Sequence, residues 1–319
     1  MKILIPIIIL SMMFSCNNSK LDYPETRKAD AVDTFYGVSI EDPYRWLEDD
    51  NSDETAEWVK AQNEVTFEYL ESLPGRERIE KRLTELWNYP KAGTPFNISG
   101  RWFIFKNSGL QNQSVLYTMD SPDDDPTVLL DPNKLSEDGT VALSGLDVSP
   151  CGRYLVYMIA RSGSDWNEIF VKDMETGDML DDHVEWVKFS GVSCYENGFF
   201  YSAYDQPKEG EELSMSNKGQ KIYFHVYGST QQDDELIFSN PEQPNRMYSA
   251  EIDSRHQYLL ITESESTSGN GLYIKKLGQS NSPIIQLAKG FDSEFFPVEI
   301  ADERLLVNTN YKAPKYRIV

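Results

Sequence analysis

Leu146-Asp147-Val148-Ser149-Pro150-Cys151-Gly152, followed at once by Arg153-Tyr154-Leu155-Val156-Tyr157, reads as a strand, a tight polar turn and a second strand. The phrase recurs. Upstream it is Phe96-Asn97-Ile98-Ser99-Gly100 then Arg101-Trp102-Phe103-Ile104-Phe105, and downstream Val192-Ser193-Cys194-Tyr195-Glu196-Asn197-Gly198 then Phe199-Phe200-Tyr201. It returns at Ala250 to His256 before Gln257-Tyr258-Leu259-Leu260-Ile261, and at Val298 to Asp302 before Glu303-Arg304-Leu305-Leu306-Val307. The phrases stand roughly fifty residues apart, the period of propeller blades rather than of helical or leucine-rich repeats. Further strands over Glu168 to Asp173, Lys221 to Tyr227 and Gly271 to Lys276 fill out the blades. A four-stranded blade cannot cover both its faces alone, so neighbouring blades must stack around an axis. Five blades are begun, and the fifth is expected to be cut short at Tyr316-Arg317-Ile318-Val319. Gln206 to Lys218 reads as a loop within the third blade.

The expected fold is therefore mainly β: a partial propeller over residues 91–319, preceded by a segment over 17–90 with two helices. Asn51 with Glu54 reads as a capping box, after which Trp58, Ala61, Val65 and Tyr69 recur at helical spacing until Leu73-Pro74-Gly75. A second helix fits Arg76 to Trp87, with Ile79, Leu83 and Leu86 on one face expected to be covered by a neighbour. Residues 1–16 differ: Lys2, then an apolar run from Ile3 to Phe14, then Ser15 and Cys16. A run this short with a basic start fits an export signal better than a spanning helix. It is similar to a bacterial lipoprotein signal, which implies lipidation of Cys16 and an exported, envelope or periplasmic protein held to the membrane by that anchor only.

The 30 basic against 52 acidic residues give a net charge of -22, which argues against nucleic acid as a partner. Beyond Cys16 only Cys151 and Cys194 remain, read as two separate thiols without metal-ligand spacing. No metal and no cofactor is expected.

Asp33-Thr34-Phe35-Tyr36-Gly37 leading into Asp42-Pro43-Tyr44-Arg45-Trp46-Leu47-Glu48-Asp49 resembles the opening signature of the prolyl oligopeptidase family of serine peptidases. The resemblance continues through Ala160 to Trp166, Val187-Lys188-Phe189-Ser190, Lys221 to Gly228 and Arg246 to Glu251. As bare chemistry the opening phrase is structural: a turn at Asp42-Pro43, Trp46 and Leu47 packed, and Arg45 paired with acids. The resemblance implies a seven-bladed propeller capping an α/β-hydrolase domain, with the active site between them. It also implies that Phe189 and Met247 line the apolar walls that receive substrate beside proline. Thr267 takes a third position where the family has cysteine, making that wall more polar.

Hydrolysis of this kind needs a serine on a G-x-S-x-G turn followed by Asp and His. That elbow is absent from the chain; Gly191-Val192-Ser193-Cys194-Tyr195 lacks the second glycine. His183 is expected in a polar loop, His225 in a strand and His256 at a turn, none as a base. Asp123-Asp124-Asp125, Asp181-Asp182 and Asp233-Asp234 are expected in solvated turns. The chain is thus expected to be the front portion of a proline-specific serine endopeptidase, without catalytic residues, lacking the α/β-hydrolase domain and inactive alone. Its substrates would be short proline-containing peptides, with the propeller gating access. The alternative is a non-catalytic envelope propeller that binds peptides or proteins.

Overall fold

A computed structural model describes residues 21–50, 52–208, 210–213, 215–279, 281–302 and 304–319. The expected signal and Cys16 lie outside the described residues. The chain divides into two compact units, residues up to Glu85 with Lys208–Ser214, and Leu86–Pro207 with Met215–Val319.

In the first unit β1 (Val32–Phe35) and β2 (Val38–Glu41) form a hairpin whose two turn residues, Tyr36 and Gly37, both have positive φ. That is the twist a two-residue hairpin turn needs. Arg45 bonds Asp42 at 2.6 Å and also Asp33, so the opening phrase is knit by its own charges. Trp46 and Leu47 are half-buried. Helix α1 (Asp53–Ser72) is capped by Ser52, whose Oγ accepts the Thr55 N–H at 3.2 Å. Asn51, the expected cap, lies outside the described residues, and the cap is Ser52. Helix α2 (Arg76–Trp87) follows the break at Leu73-Pro74-Gly75. The face expected to be covered is open: Ile79, Leu83 and Leu86 are all exposed.

The second unit is a succession of antiparallel blades. Blade 1 holds β3 (Lys91–Ala92), β4 (Phe96–Ile98), β5 (Arg101–Asn107), β6 (Val115–Met119) and β7 (Thr127–Leu130). Next come β8 (Val141–Val148), β9 (Tyr154–Arg161), β10 (Asn167–Asp173) and β11 (Met179–Tyr195), then β12 (Gly198–Ala203), β13 (Lys221–Val226) and β14 (Glu235–Phe238). These seven strands hydrogen-bond in one series because β11 serves twice. Its first half pairs with β10 as the outer strand of blade 2, and its second half pairs with β12 as the inner strand of blade 3. Blade 4 is β15 (Met247–Ile252), β16 (Tyr258–Ser264), β17 (Gly271–Lys276) and β18 (Ile284–Ala288). A fifth sheet has three strands, β19 (Phe295–Ala301), β20 (Arg304–Thr309) and β21 (Arg317–Ile318).

The repeated phrase works through its turn. Ser149 Oγ accepts the Tyr154 N–H at 2.9 Å, and Gly152 takes φ +72°. Two repeats further on, Asp253 Oδ1 accepts the Tyr258 N–H at 2.6 Å, and His256 takes the left-handed position. A short polar side chain that bonds its own backbone is what such a turn requires. Both faces of the middle strands are covered, so Leu155 through Ile159 are buried without alternation. Apolar clusters fill the seams: Phe103, Leu116 and Leu155 between blades 1 and 2, Ile169, Val184 and Phe199 between 2 and 3, Phe200, Tyr248 and Leu259 between 3 and 4.

Polar side chains clasp the seams as well. Gln113 holds the Val141 carbonyl and the Leu143 N–H of β8, Gln231 holds both backbone groups of Glu185, and Asn270 holds both of Phe295. Each satisfies backbone groups at a strand edge that the ladder leaves unpaired.

Candidate functional site

The irregular part of the propeller lies where β11 passes from blade 2 to blade 3. Val187 pairs with Ala203 and Val192 with Tyr201, so residues 188–191 stand opposite Ser202 alone. Trp186 and Phe189 take φ of +60° and +54°. For bulky residues these are costly conformations, of the kind that concentrates at functional sites. The bulge is pinned where Ser190 Oγ accepts the Ser202 N–H at 2.8 Å and where Gln220 donates to the Lys188 carbonyl at 2.6 Å. Its result is to turn the Phe189 ring outward, 52% exposed.

Around it the chemistry is aromatic and charged. The Lys188 ammonium stands 4.9 Å from the Trp166 ring, 5.4 Å from the Phe189 ring and 3.7 Å from the Asp165 carboxylate. Trp166 meets Trp186 and Tyr204 edge-on. Trp166 and Tyr204, with Asp205, Gln206, Met215 and Lys218, line a cavity of about 340 Å³. That is a setting for a ligand with an apolar body and polar groups.

Met247 opens β15, half-buried, opposite Ser264 of β16. Beside it the Arg246 guanidinium bonds the buried Glu263 at 3.0 Å and Glu265 at 3.2 Å, and lies 4.8 Å over the Phe291 ring. Glu263 also accepts from Tyr248 at 3.2 Å and Tyr273 at 3.0 Å, so its buried charge is satisfied on both oxygens. Burial, and then the Glu263 carboxylate, push the Tyr273 phenol up to about 12. Thr267 sits exposed in the bend that follows β16. Phe189 and Met247 are thus linked through neighbours: Gln220 bonds the Lys188 carbonyl with its Nε2 and accepts the Tyr248 N–H with its Oε1.

The histidines hold structure. His183 lies in β11, not in a loop; it stacks on Phe170 and meets Glu168 at 2.7 Å. Asp182, expected in a solvated turn, is a buried residue of the same strand, and Asp234 also proves buried. Both contact His225, with Nε2 3.0 Å from Asp182 and Nδ1 2.7 Å from Asp234. Burial works against a charged imidazole, but the two carboxylates outweigh it and raise His225 to about 9. A ring with a carboxylate at each nitrogen has a proton on both, so it has no free nitrogen to act as a base. Cys194 is buried and Cys151 exposed, both as free thiols. Among the described residues no group of His, Cys, Asp and Glu could hold a metal ion, and no helix is long and apolar enough to cross a membrane.

A family model, that of the prolyl oligopeptidase N-terminal beta-propeller domain, matches residues 23–319. The chain belongs to the prolyl oligopeptidase family. It is similar to a prolyl endopeptidase of Elizabethkingia miricola, 40% identical over 95% of this chain and 43% of that protein, and to one of Elizabethkingia meningoseptica at 41% over the same shares. Among solved structures it is similar to prolyl oligopeptidase B from Galerina marginata bound to a 35mer hydrolysis and macrocyclization substrate. The TM-score there is 0.79 and the identity 27%, over 93% of this chain and 45% of that one. The chain therefore spans less than half the length of these relatives. Within this prolyl oligopeptidase propeller, Gln220, the Arg246–Glu263 pair and the contacts of Lys188 with Trp166 and Asp165 carry no local sequence signal, since each depends on partners well separated in the chain.

Proposed function

We propose that this propeller belongs to a proline-specific serine endopeptidase and lines the approach to its active site. The observation that carries the reading is the β11 bulge. It sets an outward aromatic, Phe189, on a strained backbone, linked through one buried amide to the segment that begins at Met247. Apolar side chains so held suit the residues of a peptide just ahead of its proline. The names of the relatives support the same substrate class.

In this reading the chemistry lies in the part of the protein that the relatives have beyond this span, an α/β-hydrolase domain. A serine Oγ there attacks the prolyl carbonyl carbon, the amide nitrogen leaves with a proton, and water then releases the acyl group. The propeller keeps folded proteins away and admits short peptides. Export and a lipid at Cys16 place the enzyme in the envelope. The test is to assay the product of the full reading frame on chromogenic peptides with proline or alanine before the scissile bond. Cleavage after proline by at least about a hundredfold is expected, as for a pocket built to one shape. Equal cleavage of both sinks the proline reading, and no cleavage of either sinks the enzyme reading.

A further inference from the structure

The side-chain clasps of the propeller are not equivalent. Gln113 grips two groups of β8, Gln231 grips one residue of β11, and Asn270 grips one residue of β19. Each of these holds a single strand. Gln220 instead joins two separate segments on neighbouring blades: its Nε2 donates to the Lys188 carbonyl and its Oε1 accepts the Tyr248 N–H, both at 2.6 Å, with the side chain 1% exposed.

Both partners stand next to a candidate substrate-facing residue. Lys188 precedes Phe189, and Tyr248 follows Met247. The bulge at 188–191 has one residue opposite it, so its carbonyls lack ladder partners and its position depends on side-chain bonds. A glutamine amide is planar, with its donor and acceptor at a fixed separation. Bonding both ends at once therefore fixes the spacing of the two segments.

We propose that Gln220 is a positioning residue that sets the gap between Phe189 and Met247, and with it the width offered to the substrate residues ahead of proline. The consequence for substrate rests on the functional reading above; the consequence for spacing does not. Removing the amide cuts the bond between the bulge and β15, leaving Ser193, whose Oγ accepts the Ile252 N–H at 3.1 Å, as the next link, and lets the gap vary. Gln220→Glu keeps an acceptor for Tyr248 and sets a carboxylate against the Lys188 carbonyl, so it loses the bulge side of the link alone.

The spacing is measured on the 319-residue chain, with Cys16→Ser and Cys151→Ser, Cys194 being buried, and spin labels on cysteines placed at positions 189 and 247. The expected result is a narrow distance distribution that broadens severalfold in Gln220→Ala and partly in Gln220→Glu. Gln113→Ala, which cuts a single-strand clasp elsewhere, is expected to leave it narrow. An unchanged distribution in Gln220→Ala overturns the proposal, as does equal broadening by Gln113→Ala. If Gln220→Ala does not fold, Gln220→Glu against Gln113→Ala decides. In the product of the full reading frame, Gln220→Ala is expected to raise KM severalfold for peptides with residues ahead of proline, with kcat nearly unchanged for minimal ones. If broadening occurs while cleavage shows no proline preference, the functional reading falls and the positioning role stands.

Discussion

Two seams of the propeller are built from the same repeated phrase and hold together by different physics. Between blades 1 and 2 the contact is dry, with Phe103, Leu116 and Leu155 fully buried. Between blades 2 and 3 a similar apolar cluster has a charged buttress at its edge, where His225 stands between Asp182 and Asp234, with Tyr201 donating to Asp234 at 2.6 Å. The phrase specifies strands and turns, while each seam chooses its own chemistry. A dry seam is indifferent to pH. The second depends on one proton.

The largest effect is expected from His225→Ala, which leaves two buried carboxylates facing each other and costs about 4 kcal/mol. Urea unfolding at neutral pH checks it, and a loss as small as that of a surface substitution breaks the contrast. Leu155→Ala in the dry seam is expected to cost about 3 kcal/mol through lost burial and a cavity. Its loss stays the same from pH 7 to pH 10, which the same unfolding series measures.

A smaller effect comes from alkali on the unaltered chain. His225 is raised from its ordinary value to about 9, so its contribution is complete below the ordinary histidine range and is lost as pH rises through 9. The neutral ring still donates one N–H, so less is lost than on removing it. The urea midpoint is expected to fall between about pH 7 and pH 9 more steeply than in His225→Gln; parallel slopes sink the assignment. The smallest effect is Arg161→Ala, on an exposed bidentate pair with Glu168, expected to stay below about 1 kcal/mol by thermal unfolding.

The blade order was legible because the phrase is local: a polar residue that closes its own turn, as Ser149 and Asp253 do, signals itself within a few positions. The limits of α2 were legible for the same reason, in Leu73-Pro74-Gly75 and Tyr89-Pro90. The run Asp181-Asp182-His183 misled because its polarity imitates a turn. In the structure it is a strand whose alternate residues meet opposite faces, so Asp182 is buried against His225 while His183 stacks on Phe170 outside. The bulge at Phe189 was invisible as backbone, since its left-handed residue is a phenylalanine, while the glycine of the bulge, Gly191, does not take positive φ. Phe189 and Met247 were named by resemblance alone, and Gln220 had nothing to announce it, because its partners lie far off in the sequence.

The double service of β11 has a mechanical consequence. Blades 1 and 2 are joined by residues 131–140, blades 3 and 4 by 239–246, and blades 4 and 5 by 289–294, each a length of chain outside the strands. Blades 2 and 3 have only the kink at 188–191 between them, and one continuous strand carries load across it. A pull on the outer edge of blade 2 thus reaches the inner edge of blade 3 along one strand, through the bend that carries Phe189.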